Sequence, residues 1–125
     1  MQEFMKLVNS ESRYPLRGWF RIDEYELEIY ARKTQRFING DMVTTLDLAS
    51  FGVDTNSRSK GNFTRFLDEI EEVADELGLT LYVESILNKR LFDFLVRRNY
   101  NSIEYLPNCL YRGPNDRTNI GSIHE

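Results

Sequence analysis

The chain has 125 residues, 41% of them hydrophobic and 29% charged, with a net charge of −4, one cysteine and one histidine. At that length folding removes roughly two thirds of the unfolded chain's surface from water, so one domain can build a core without disulfides or structural metal. These figures exclude a two-domain enzyme, an internal disulfide, a Cys/His zinc cluster and, with no run near the roughly 20 apolar residues of a membrane span, a transmembrane protein.

A lone Cys109 and the lack of an apolar leader fit a chain that stays in a reducing, cytoplasmic compartment. The acidic balance argues against a protein that coats nucleic acid, where affinity comes chiefly from neutralised phosphates, so nucleic acid is not an expected partner. A membrane is not expected as a partner either.

In chain order, Phe4, Met5, Leu7 and Val8 give two turns of helix before the polar cluster Asn9-Ser10-Glu11-Ser12. Trp19–Ile22 and Tyr25–Arg32 alternate at period two and read as two strands with one wet face, joined by a tight turn at Asp23-Glu24. Asn39-Gly40-Asp41 is a turn signal because Asn and Gly tolerate positive φ. Met42–Val53 reads as the next strand. Residues 54–61 form a polar loop, after which Phe63, Phe66, Leu67, Ile70, Val73, Ala74 and Leu77 fall at helical spacing, with Gly78 as the C-terminal stop. Asp68, Glu69, Glu71, Glu72, Asp75 and Glu76 read as that helix's solvated face. Leu79–Glu84 is a short strand, and Asn88 opens a second helix that stops near Asn99. Tyr100–Ile103 and Tyr105–Tyr111 close the domain as strands, Pro107 confining the second to an edge or a bulge. Residues 1–112 form the domain and 113–125 a loose tail that holds His124, which argues against a histidine-based triad.

The succession of strand, glycine-bearing polar loop and long helix aims free backbone N–H groups and the positive end of a helix dipole at one point. Arg58 and Lys60 add charge, and Gly61 lacks the Cβ that blocks close approach. This is an anion site or, equally, an ordinary connection whose serines and asparagine cap the helix. Neither the P-loop nor the Gly-x-Gly-x-x-Gly pattern occurs, so kinase, ATPase and Rossmann readings drop away.

Residues 51–63, ending in Arg58-Ser59-Lys60-Gly61-Asn62-Phe63, resemble the acetyl-CoA-binding motif Gln/Arg-x-x-Gly-x-Gly/Ala of the GNAT acetyltransferase superfamily. Arg58 and Gly61 hold the first and fourth positions, and Val53 ends the strand five residues earlier. Downstream, Asn88, the apolar residues at 91 and 94, Arg97 and Tyr100 match the family's Asn-led helix and closing aromatic. The likeness covers about residues 42–111. Phe63 stands where Gly or Ala is usual, Leu95 where many members carry a tyrosine thought to protonate the CoA thiolate, and Asn99 where Gly is usual. The compact form is similar to small acetyltransferase-like proteins of tailed bacteriophages.

The resemblance implies an α/β (α+β) fold with a mixed, mostly antiparallel sheet, a splayed central strand pair, flanking helices, abbreviated N-terminal helices and an open acceptor cleft. It implies an N-acetyltransferase that uses acetyl-CoA as cosubstrate and an amine of a protein or small molecule as acceptor, with a homodimer admitted. No metal is expected. Backbone groups at Phe51 and Val53 would meet the pantetheine arm, with the Val53 N–H as oxyanion donor. Arg58 and the amides of Ser59, Lys60, Gly61, Asn62 and Phe63 would hold the pyrophosphate. Lys60, Lys89 and Arg90 would meet other phosphate or adenine edges, and Asn88 completes the cofactor set.

Acyl transfer also needs a proton acceptor, and Glu84, which closes an apolar strand beside the family's splay, is the candidate base unless it merely caps or pairs with Lys89 or Arg90. With Leu95 in the usual tyrosine position, the acid is absent, supplied by Tyr111, Tyr82 or Tyr105, with Tyr111 the candidate, or replaced by water. The alternative is a catalytically inactive scaffold acting through protein binding, with or without CoA.

Overall fold

Period-two alternation over residues 16–53 builds the first half of a sheet. A computed structural model describes residues 1–11, 16–53, 61–103 and 105–114, with backbone alone for 51–53. Leu16–Ile22 (β1) and Leu27–Ile38 (β2) pair antiparallel from Leu16↔Lys33 to Ile22↔Leu27. They are joined by a 3-10 turn, Asp23–Tyr25, with Glu26 left-handed at φ 50, longer than the two-residue turn expected. β2 also runs past Arg32 to Ile38. Asn39 and Gly40, at φ 52 and 89, then turn the chain into Asp41–Val53 (β3).

The helical spacing after residue 61 gives Asn62–Leu77 (α2), which buries Phe66, Leu67, Ile70 and Ala74. Gly78, at φ 70, donates its N–H to Ala74 and Asp75 carbonyls. Thr80–Val83 (β4) is buried throughout and lies parallel to β3. Lys89–Arg97 (α3), Asn101–Ile103 (β5) and Leu106–Arg112 (β6) complete the order β1-β2-β3-β4-β6-β5. β6 is therefore an interior strand rather than an edge. Pro107 is tolerated because it falls where the register slips between Ser102↔Leu110 and Ile103↔Leu106.

The two N-terminal turns expected are present as Gln2–Asn9 (α1). Phe4 is buried against Phe20 and Phe66, ring centroids 5.6 and 5.9 Å away, and Lys33 Nζ donates to the Val8 and Ser10 carbonyls at 2.7 and 2.6 Å, fixing the C-terminal end. One core joins apolar residues of all three helices to one face of the sheet.

The expectation of a wholly solvated acidic face on α2 is corrected. Asp68, Glu69, Glu72 and Glu76 are exposed, but Glu71 is 7% exposed and the Asp75 side chain 4%. Glu71 accepts from Arg98 and from the Tyr100 hydroxyl, and Asp75 takes both terminal nitrogens of Arg112 at 3.0 and 3.2 Å. Both acids flank the apolar stripe, where partners from α3, β6 and the turn before β5 reach them. The proposed tail beyond residue 114 lies outside the described residues.

Candidate acyl-CoA site

β3 and β4 stay paired only from Thr45↔Thr80 to Leu48↔Val83. The last link is Glu84 N–H to the Leu48 carbonyl at 3.4 Å. Beyond it β3 continues to Val53 on β2 alone among the described strands, while the other chain turns away through Ser85, at φ 57, and bonds the Asn108 carbonyl through Ile86 N–H. The register places Tyr30↔Ser50 beside Ala31↔Leu48, leaving Ala49 as a bulge that bends β3 at the point of parting.

Four residues past the parting point at Glu84, Asn88 joins an open groove of about 700 Å³ between the start of α2 and α3, lined also by Phe63, Thr64, Arg90, Leu91, Asp93, Phe94 and Arg97. Gly61, at φ 74, is the N-cap of α2, with no side-chain cap and no acid in the first turn. The first-turn amides and the positive helix end therefore face no side-chain anion of their own helix. Arg90 and Arg97 bring positive charge to the groove, and Asp93 is held by Lys89 Nζ at 2.9 Å.

Among the cofactor candidates, Gly61, Asn62, Phe63 and Asn88 come together at this end of the molecule. Asn88 Oδ1 accepts from Leu91 N–H at 3.1 Å, so its carbonyl caps α3. Asn62 is buried toward Glu26 and Arg65, leaving its backbone as the part able to meet a ligand. Phe63 lies with Phe66 and Phe94, centroids 6.3 and 6.5 Å away. Arg58, Ser59, Lys60 and the side chains of Phe51 and Val53 lie outside the described residues. The sequence reading missed Thr64 and Asp93. The signal was present in α3, where Arg90, Asp93, Phe94 and Arg97 are spaced i, i+3, i+4, i+7 on one helix face.

Glu84 stands at the parting point, 22% exposed, paired with Arg32 and with Arg36 at 3.5 Å rather than with Lys89 or Arg90. Beneath the same arginines lies Asp47, fully buried, which accepts from Thr45 Oγ1 at 2.7 Å, Arg32 Nε at 3.1 Å and Arg36 Nη2 at 2.7 Å. Burial opposes the charge of Arg32, yet its bonds to Asp47 and Glu84 prevail and raise its pKa; the Asp47 bond leads in raising that of Arg36. Asp47 escaped the sequence reading because alternation puts it on the face opposite Leu46 and Leu48, where an acid reads as solvent-facing.

Of the acid candidates, Tyr82 is buried under the Arg36 guanidinium, 4.0 Å from its ring centre. Burial, then a hydrogen bond with Cys109, pushes its phenol well up, so it stays protonated. Tyr111 hydroxyl accepts from Asn39 Nδ2 at 2.5 Å, tying β6 to the β2–β3 turn, and Tyr105 is exposed. Leu95 is fully buried in the core. Among the described residues no group of His, Cys, Asp or Glu is placed to hold a metal ion, and no helix is long and apolar enough to cross a membrane.

No family model and no curated protein matches the sequence. Solved structures are. The KacTA–DNA complex aligns with 70% of this chain at TM-score 0.56 and 17% identity, over 58% of its own chain. A tyrosine-to-phenylalanine mutant of the AtaT toxin, bound to the C-terminus of the antitoxin AtaR and acetyl-CoA, aligns over 70% of this chain and 58% of its own at 0.53 and 13%. AtaT complexed with acetyl-methionyl-tRNAfMet aligns over 70% and 61% at 0.53 and 12%. The match spans less than two thirds of each of those chains.

These likenesses correct one expectation. Nucleic acid was set aside on net charge, yet DNA and tRNA are present in complexes of proteins that share this fold. Net charge averages over the surface, whereas binding depends on where the charges cluster. The strand order, the parallel β3–β4 pair that parts after Leu48 and the likeness to KacT and AtaT together show that this chain has the GNAT fold.

Proposed function

We propose that the chain is an acetyl-CoA-dependent N-acetyltransferase. The observation that carries this reading is the coincidence of three features: the parted strands, the α2–α3 groove whose Asn88 follows four residues after the parting point at Glu84, and the start of α2, with Gly61 as its N-cap, opening onto that groove. The residues suit an acyl-CoA. First-turn amides of α2, with Arg58, Lys60 and Arg90, are proposed to hold its phosphates, and the β3 backbone at Phe51 and Val53 to receive the pantetheine arm. The bound cosubstrate supplies an activated thioester carbonyl.

The chain's own groups then position and deprotonate the amine. Val53 N–H is the proposed oxyanion donor. Glu84 is the proposed proton acceptor, directly or through a water, with Arg32 and Arg36 fixing its orientation. Tyr82 is a neutral phenol bonded with Cys109, its ring under Arg36, and Tyr111 is engaged by Asn39, so neither is assigned the departing thiolate's proton, which is left to water.

The acceptor is an amine. Because AtaT was solved with acetyl-methionyl-tRNAfMet, aminoacyl-RNA joins peptides and polyamines in the acceptor screen. The assay is release of free CoA thiol on adding each class. Acceptor-dependent release, lowered about 100-fold by Glu84→Gln, supports the reading, and no release with any class contradicts it. The second reading, a non-catalytic scaffold, is favoured by the burial of Leu95 in the usual tyrosine position and by Phe63 and Phe94 meeting across the groove.

A further inference from the structure

The sheet face away from the helices carries a second feature, which shares Arg32 and Arg36 with the Glu84 cluster. Along β1 and β2 the pairs Arg17↔Arg32 and Trp19↔Tyr30 succeed one another on that face, two residues apart. Trp19 is 64% exposed, its ring edge-on to Tyr30 with centroids 5.4 Å apart. Next to the pair, an open cavity of about 480 Å³ is lined by Arg17, Arg32, Thr34, Gln35 and Arg36, with no acid in its wall.

Two of the three guanidiniums are held in place from below. Arg32 and Arg36 use Nε and Nη2 on Asp47 and Glu84, and among the described residues Nη1 of each makes no hydrogen bond. Arg17 has no carboxylate partner among the described residues. A fixed set of donors for an oxyanion therefore adjoins an exposed ring able to stack on a flat partner, in a chain whose net charge is −4.

We infer that this face binds single-stranded nucleic acid, with a backbone phosphate in the arginine cavity and a base stacked on Trp19. Arginine-lined grooves beside exposed aromatics serve this purpose because every base has a π-face, and a single strand offers those faces where a duplex keeps them stacked inside.

Trp19 is the chain's only tryptophan, so its emission reports the contact directly. An oligonucleotide of about 12 nucleotides, titrated by fluorescence anisotropy and by tryptophan emission, is expected to bind, to quench Trp19 and to lose affinity as salt rises. Trp19→Ala should weaken binding about tenfold and Trp19→Phe less. Arg17→Ala should flatten the log-affinity against log-salt slope by about 0.7. Both positions are on the surface, so unchanged melting temperatures keep the comparison valid. Absence of binding, equal affinity for the duplex, or tripolyphosphate competing equally with no change in emission would each overturn the inference, the last by reducing the face to a simple phosphate site. Acetyl-CoA affinity is measured in the same variants. Its retention when oligonucleotide binding is lost separates this face from the α2–α3 groove.

Discussion

Glu71→Ala should loosen the wall between α2 and α3, and its cost follows from the contacts. Glu71 is 7% exposed and accepts from Arg98 Nε at 3.1 Å, Arg98 Nη2 at 2.7 Å and the Tyr100 hydroxyl at 2.8 Å. Breaking a buried pair by removing one partner costs about 3–5 kcal/mol. Arg98 keeps Asp68 at 2.7 Å, a carboxylate on an exposed side chain, which places the cost at the low end. Tyr100, 3% exposed, is left with a hydroxyl that has lost its acceptor. The sum is about 4 kcal/mol, about 3 for the pair and about 1 for the hydroxyl, which is about 15 °C in Tm for a domain of this size. Glu71→Gln, which keeps an acceptor, should cost about half of that. Urea unfolding with an unchanged slope is the assay, and a double-mutant cycle with Arg98→Met should return a coupling of at least about 1 kcal/mol. A Glu71→Ala protein within about 0.5 kcal/mol of the parent would refute the reasoning, because surface substitutions alone do that little.

Two further predictions concern the polar side of the sheet and the tyrosines. Asp47→Ala removes a fully buried carboxylate that three groups share, while Arg32 and Arg36, about a quarter exposed, keep Glu84; the expected loss is about 2–3 kcal/mol in urea unfolding, with Asp47→Asn milder. Alkaline pH should unfold the protein. Tyr25 is pushed up to about 12 by its bond to Glu69 and then by burial, Tyr100 well up by burial and then by the Glu71 charge, and Tyr82 up by burial. A pKa raised in the folded state means stability that is complete below the unfolded value of 10 and falls as pH climbs from there through 12 and beyond. Urea midpoints measured at intervals across that window should drop steadily, and Tyr100→Phe should shallow the drop; a flat profile contradicts these assignments.

The elements with strict periodicity were legible in the sequence. α2 declared itself because seven apolar residues keep a 3.6-residue spacing and a glycine follows, and β1, β2 and β3 because alternation and the Asn39-Gly40 turn agree. The parted strands were reached only through resemblance, since no local pattern encodes where a parallel pair separates; the Ala49 bulge that bends β3 has no residue signature of its own. Helical spacing alone turns Glu71 and Asp75 to solvent, because their partners, Arg98, Tyr100 and Arg112, lie far along the chain. Glu84 is a candidate from its place at a strand end alone, but its pairing with Arg32 and Arg36 needs the register of β2 on β3 and β3 on β4. Asp47 shows the limit most plainly, for an acid at an outward strand position reads as solvated until Arg32 and Arg36 of the neighbouring strand cover it.

The central claim is that an acyl-CoA sits with its phosphates at the start of α2. Calorimetric titration of acetyl-CoA into the parent and into Thr64→Glu tests it most directly. Thr64 lines the groove in the first turn of α2, where a carboxylate favours the helix while repelling an anionic ligand. The account predicts micromolar binding by the parent and a loss of at least about tenfold in a variant that melts no lower. No binding by a folded parent at millimolar acetyl-CoA, or equal binding by both proteins, would contradict it.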